Sequence, residues 1–299
     1  MTSHAPATVC STSQTTPRSR DAWLCVVAIL VGELVAWAPF WAGAQASPTF
    51  SRWLKGPVGS AFMDSLQGCV WLLSALWFSR IRSIGGFLSS VGLRRPLTLF
   101  GCCAAWVALG LAFLDRYGAS RGWTGGGGHW YPLGRPPLAA SWWLATKAVL
   151  LVPFYEEVVI RGFLYQAFRR SHGVLLSTTI ILCFSAFVHG SSVSRSLFTF
   201  GVLTCLCALV CLVREWTGSL WGCLLCHAAY NAILFHLWLP ALIILALLLP
   251  FLASGRASER PSRAFAVLSG SAEPSASPNG GPAVRPDGSG VGGGPPSVS

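Results

Sequence analysis

The sequence predicts an all-α, multi-pass helical membrane protein in which about eight transmembrane helices enclose a polar intramembrane site. Three observations carry that prediction. Hydrophobic residues make up 53% of the 299 positions and charged residues only 10%, with a mean hydropathy of +0.57. Several apolar runs approach the ~20 residues a helix needs to cross a ~30 Å hydrocarbon core. Finally, Glu156, Glu157, Arg161, His189, His227 and Asn231 are set into the apolar half of the chain, where a bilayer penalises each ionisable group and so favours a functional reason for it.

The elements follow in order. Residues 1–22 form a polar N-terminal tail, and residues 23–253 one helical membrane domain. Its apolar runs are Trp23–Gly43, Val58–Phe78, Leu97–Leu114, Pro137–Tyr155, Val174–Gly190, Leu197–Val213, Leu220–Leu237 and Leu239–Ala253. The first follows Arg18 and Arg20 and precedes Ala44-Gln45-Ala46, in the manner of an export signal. It is longer than the usual 7–15-residue apolar region of such a signal and contains Glu33, so it is expected to be retained. Arg116–Pro136, with four consecutive glycines at 125–128, reads as a loop. Residues 254–299 turn to Gly, Pro and Ser and read as a disordered tail.

A formal charge of +11 invites a nucleic-acid reading, but the basic residues are scattered among loops and form no stripe. Membrane orientation accounts for them. With the N-terminal tail in the cytoplasm, fourteen arginines fall on that side and six basic residues on the other. Both termini are therefore expected in the cytoplasm, and the chain in a cell inner or plasma membrane. Lys147 and Glu33 are also embedded, and could pair if their helices touch. Ten of the eleven cysteines lie in apolar segments and read as packing residues. Cys223-Leu-Leu-Cys226-His227 has the spacing of a haem attachment, but it lies in an apolar helix without a soluble domain to enclose a porphyrin.

Helical geometry brings the ionisable residues together. Adjacent residues on a helix point about 100° apart, so Glu157 pairs with Arg161 at i, i+4 while Glu156 is left for another partner. Arg169–Gly173 reads as a hairpin tip, with Glu156 sixteen residues before His172 and His189 sixteen after Gly173. At ~1.5 Å per residue both lie about 24 Å from the tip, at one height on antiparallel helices. A helix from Pro137 to Arg170 exceeds the length a bilayer requires, which predicts a kink near Pro153 or a protruding tip. Thr217-Gly218 marks another turn, followed by His227 and Asn231 on one helix face.

Three motifs then resemble those of the CPBP membrane peptidases, or Abi family, which includes the type II CAAX prenyl proteases and bacteriocin-linked relatives. They are Glu156-Glu157-Val-Val-Ile-Arg161-Gly162, the apolar run ending in His189-Gly190, and Thr217-Gly218-Ser219-Leu220-Trp221 leading to His227-Ala-Ala-Tyr-Asn231. One departure is Ser185, where the family usually has Phe four residues before the histidine. Gly92-Leu93-Arg94-Arg95-Pro96 is similar to a stretch that often precedes a helix in these proteins.

Together with the residue types, the resemblance implies an intramembrane endopeptidase acting on a membrane-associated protein or peptide. Glu156 would be the base that activates water, His189 would help hold the water, and His227 and Asn231 would supply oxyanion donors. Glu157 and Arg161 would support them. Zinc bound by Glu156, His189 and His227 is permitted but not required, because the His-Glu-x-x-His spacing is absent. The alternative is a non-catalytic immunity or chaperone-like membrane factor in which the same groups fasten helices together.

Overall fold

The computed structural model describes residues 17–81, 83–123, 146–189 and 196–234, with isolated positions at 243 and 246. All of these belong to one compact unit. Among the described residues every regular element is a helix. Ser19–Ala46 (α1), Pro48–Lys55 (α2), Pro57–Ser79 (α3), Ile84–Ser90 (α4) and Leu99–Ser120 (α5) form the first half. A helical segment then runs through a π-helical stretch at Lys147–Leu151, an α-helix at Val152–Glu157 (α6), a second π stretch at Val158–Leu164 and Tyr165–Ser171 (α7). Val174–Val188 (α8), Leu197–Thr217 (α9) and Trp221–Leu234 (α10) complete it.

Four helices are long and apolar enough to cross a membrane: Ser19–Ala46, Val58–Ser79, Leu99–Ser120 and Leu197–Thr217. Four of the expected eight spans are thus found among the described residues, and the count of eight is not confirmed. Val174–Val188 and Trp221–Leu234 are apolar but shorter. The expected run Leu239–Ala253 apart from residues 243 and 246, the glycine-rich loop at 125–128 and the tail 254–299 lie outside the described residues.

Polar contacts between helices fix the arrangement. Asp21 accepts from the Arg18 backbone N–H at 2.9 Å and pairs with Arg80 at 2.7 Å, joining the start of α1 to the end of α3. Arg80 itself ends α3 in the left-handed region, at φ 59°. Further along, Glu33 on α1 accepts from Gln67 Nε2 at 2.8 Å and from Trp71 Nε1, both on α3. Lys147 forms an ion pair with Asp64 and donates to Ser60 Oγ at 2.8 Å. Glu33 and Lys147 therefore do not pair with each other. α3 lies beside both and supplies each with its own partner, the arrangement that embedded polar groups require.

On the other side, α5 packs against α9 and α10. A Cβ on Gly101 would come within 3.0 Å of the Gly222 Cα, so these two glycines allow close backbone approach near the starts of α5 and α10. Near their other ends Tyr230 Oη donates to buried Asp115 at 2.9 Å. The segment 147–171 lies between the two groups and contacts α3 as well as α10.

The Lys147–Asp64 pair yields a direct test. Lys147→Met leaves an unpaired carboxylate within the helical bundle and should lower stability by about 2–3 kcal/mol. Adding Asp64→Asn should restore most of the loss, measured as thermal unfolding in detergent micelles.

Candidate active site

The paired glutamates lie between two π-helical stretches, the second of which carries the rest of the motif, a local irregularity frequent at functional sites. The second stretch, Val158–Leu164, is buried at every position. Gly162 is required there by space: a Cβ would meet the Val91 side chain at 2.8 Å. That approach explains the glycine ending the Glu-Glu-x-x-x-Arg-Gly motif.

Glu157 is the centre of the site. Its Oε1 accepts from Arg161 Nη1 at 3.1 Å, the expected i, i+4 pair, and lies 2.8 Å from His227 Nδ1 on α10. The second contact is one the sequence reading missed. Glu157 is 1% exposed and Arg161 5%, so the pair is removed from solvent. Arg161 also donates through Nη2 to Cys207 Sγ at 2.9 Å, and Cys207 in turn donates to Ser185 Oγ at 3.6 Å. Glu157 Oε2 and Arg161 Nε, both buried, have no hydrogen-bond partner among the described residues.

Glu156 takes the other direction. Its Oε2 lies 3.8 Å from His227 Nε2. That separation exceeds a hydrogen bond, but a water or a substrate oxygen could bond to both groups. Glu157 on Nδ1 and Glu156 opposite Nε2 thus hold the two nitrogens of one imidazole in different roles, as a carboxylate orients a working histidine.

The remaining expected residues are arranged less directly. His189 caps α8, its backbone N–H bonded to the Ser185 carbonyl at 3.0 Å, and is half-buried. It lies within electrostatic reach of Glu156, His227 and Arg161, but no hydrogen bond joins it to Glu156 among the described residues. Asn231 is buried and uses its Nδ2 to donate to the Ala148 carbonyl at 2.9 Å, across to the first π stretch. One of its two amide hydrogens is thereby engaged and one is left.

The metal reading fares differently. Among the described residues no group of three His, Cys, Asp or Glu is placed to hold a metal ion. Glu157 on His227 Nδ1 leaves Nε2 free as a ligand, but His189 and Glu156 do not close a three-ligand set with it among the described residues. The residues do not fit a zinc site, and no chemical step is derived through one. The haem-like spacing also resolves into packing, since Cys223 and Cys226 are fully buried, with Cys223 Sγ directed at the Val210 carbonyl at 3.5 Å.

A family model described as type II CAAX prenyl endopeptidase Rce1-like matches residues 138–233. The matched segment is similar to that family over about a third of the chain. It contains Glu156, Glu157, Arg161, His189, His227 and Asn231, whereas residues 1–137 and 234–299 lie outside the match. The match agrees with the CPBP resemblance that the three motifs carry, and the family description is that of an endopeptidase. Comparisons with curated proteins and with solved structures returned no match.

Cys207 was not singled out from the sequence, and Ser185 only as a departure from the family pattern. The available signal was Cys207 and Cys211 one turn apart on α9, a small polar stripe on an apolar helix. Arg161→Leu should leave Glu157 buried without its cation and lower stability by about 3–5 kcal/mol. Glu156→Gln, whose charged neighbour His227 stands 3.8 Å away and outside hydrogen-bond distance, should shift the same melting curve far less.

Proposed function

We propose that this chain is an intramembrane endopeptidase that hydrolyses a peptide bond of a membrane-associated protein or peptide, with Glu156 activating the water. The observation that carries this reading is the 3.8 Å gap between Glu156 and a His227 already anchored by Glu157. A water in that gap would give its proton to Glu156 as its oxygen attacks the carbonyl carbon. Glu156 would then return the proton to the leaving amine.

The developing oxyanion needs donors. With Glu157 on Nδ1, the His227 ring can carry a second proton on Nε2 and donate from it. Asn231 retains one amide hydrogen beside its bond to Ala148. His189, at the end of α8, would hold the water or the substrate carbonyl from the side of the neighbouring helix. Glu157 and Arg161 act through His227 as positioning groups. Substrates of the CAAX type, bearing a prenyl group, or of the bacteriocin type follow from the family and suit a site set among apolar helices.

A second reading has its own support, because the Glu157–His227 and Asn231–Ala148 contacts also fasten α10 to the segment 147–164. A non-catalytic immunity or chaperone-like factor could use the same polar groups for that alone. Reconstituted protein offered a library of membrane peptides, including prenylated CAAX peptides, separates the two. Glu156→Gln should reduce cleavage at least 100-fold while abundance and melting temperature stay at wild-type values. Unchanged function in that variant would favour the helper role. Cleavage should also persist in a strong chelator, because the described residues hold no three-residue ligand set; loss of activity reversed by added zinc would contradict this.

A further inference from the structure

The Gly92–Pro96 stretch, left without a role by the active site, builds a second polar site. Leu220 N–H bonds to the Gly92 carbonyl at 3.3 Å, Ser219 Oγ donates to the Arg95 carbonyl at 3.2 Å, and Trp221 Nε1 donates to the Leu93 carbonyl at 2.9 Å. These bonds fasten the stretch to the turn between α9 and α10. Two guanidinium groups meet at that junction. Arg214 donates to the Gly218 carbonyl, and a Cβ on Gly92 would collide with its Nη1. A Cβ on Gly218 would collide with the Arg95 guanidinium. Both glycines have positive φ, 87° and 61°, so neither the conformation nor the space suits a side chain.

Neither guanidinium at this junction has a carboxylate partner of its own among the described residues. Arg214 is 3% exposed and its Nε has no hydrogen-bond partner among the described residues. The carboxylate next to it in the chain, Glu215, is directed elsewhere, to Arg169 at 3.0 Å and Tyr165 Oη at 3.0 Å. No ion pair to Arg95 or Arg214 occurs among the described residues. The C-terminal carbonyls of α9 offset part of the Arg214 charge, but α5 and α10 both begin here and add the positive ends of two helices. Trp216 and Trp221, 40% and 45% exposed, flank the turn, as aromatic side chains do at the level of lipid headgroups.

We propose that this corner binds the phosphate of an anionic membrane lipid, held by the exposed Arg95 guanidinium with Arg214 behind it. Guanidinium groups match phosphate oxygens in pairs, and a phosphate here would supply the missing counter-charge. The site lies at the start of α10, the helix that carries His227 and Asn231, and its occupancy would brace that helix. The assignment does not depend on the peptidase reading.

Native mass spectrometry of the full-length protein in detergent, titrated with phosphatidylglycerol, phosphatidylcholine or inorganic phosphate, tests it. Phosphatidylglycerol should bind in preference to phosphatidylcholine, and Arg95→Gln should weaken that binding about tenfold. Arg170→Gln, which removes an equal charge from an exposed position at the end of α7, should leave it unchanged. Arg95 is exposed, so its replacement is not expected to disturb folding; Arg214→Gln, if it folds, should weaken binding at least as much. Equal losses from Arg95→Gln and Arg170→Gln would reduce the effect to general charge attraction and overturn the site. Binding of inorganic phosphate without preference for the anionic lipid would overturn the lipid assignment.

Discussion

One carboxylate oxygen holds this site together. Glu157 Oε1 is shared between Arg161 on its own helix and His227 on α10, at 3.1 and 2.8 Å. In a medium that charges every unpaired ion heavily, such an oxygen has few alternatives to the partners it is given. It fixes the height of α10 against the π-helical segment and selects which face of the imidazole is free. Glu156, one residue earlier and about 100° round the helix, then meets the other nitrogen of the same ring without further adjustment.

The surrounding polar contacts extend the same constraint. Arg161 continues to Cys207 and thence to Ser185, tying α9 and α8 to the motif helix. On the opposite side Tyr155 donates to Gln67 at 3.4 Å, and Gln67 donates to Glu33, so the residue preceding Glu156 is held by α3 and α1. The paired glutamates are thus gripped from both sides of the bundle by groups outside the proposed site. Rigid placement of this kind is what hydrolysis at a single water demands.

Much of this was legible in the sequence, and the reason is periodicity. The Glu157–Arg161 pair, the hairpin tip before Val174, the turn at Gly218 and the shared face of His227 and Asn231 all follow from helical spacing and glycine conformation. What spacing cannot give is the partner across helices. His227 was expected to face the substrate and instead also grips Glu157; Asn231 turns one amide hydrogen to the Ala148 carbonyl; Lys147 finds Asp64 instead of Glu33. An apolar run also hides where its helix stops: the helix within Val174–Gly190 ends at Val188, after fifteen residues. The π stretches around the glutamates leave no composition signal, because they arise from how the helix is packed.

The account centres on a water attacking directly, with Glu156 as its base. A single-turnover reaction in H2¹⁸O, with enzyme in excess over a cleaved membrane peptide, examines that step. The account predicts one solvent oxygen in the newly formed peptide carboxylate and none in the Glu156 side chain. Label incorporated into Glu156 would reveal a covalent acyl intermediate, and a chain that forms no new carboxylate at all would contradict the enzymatic reading outright.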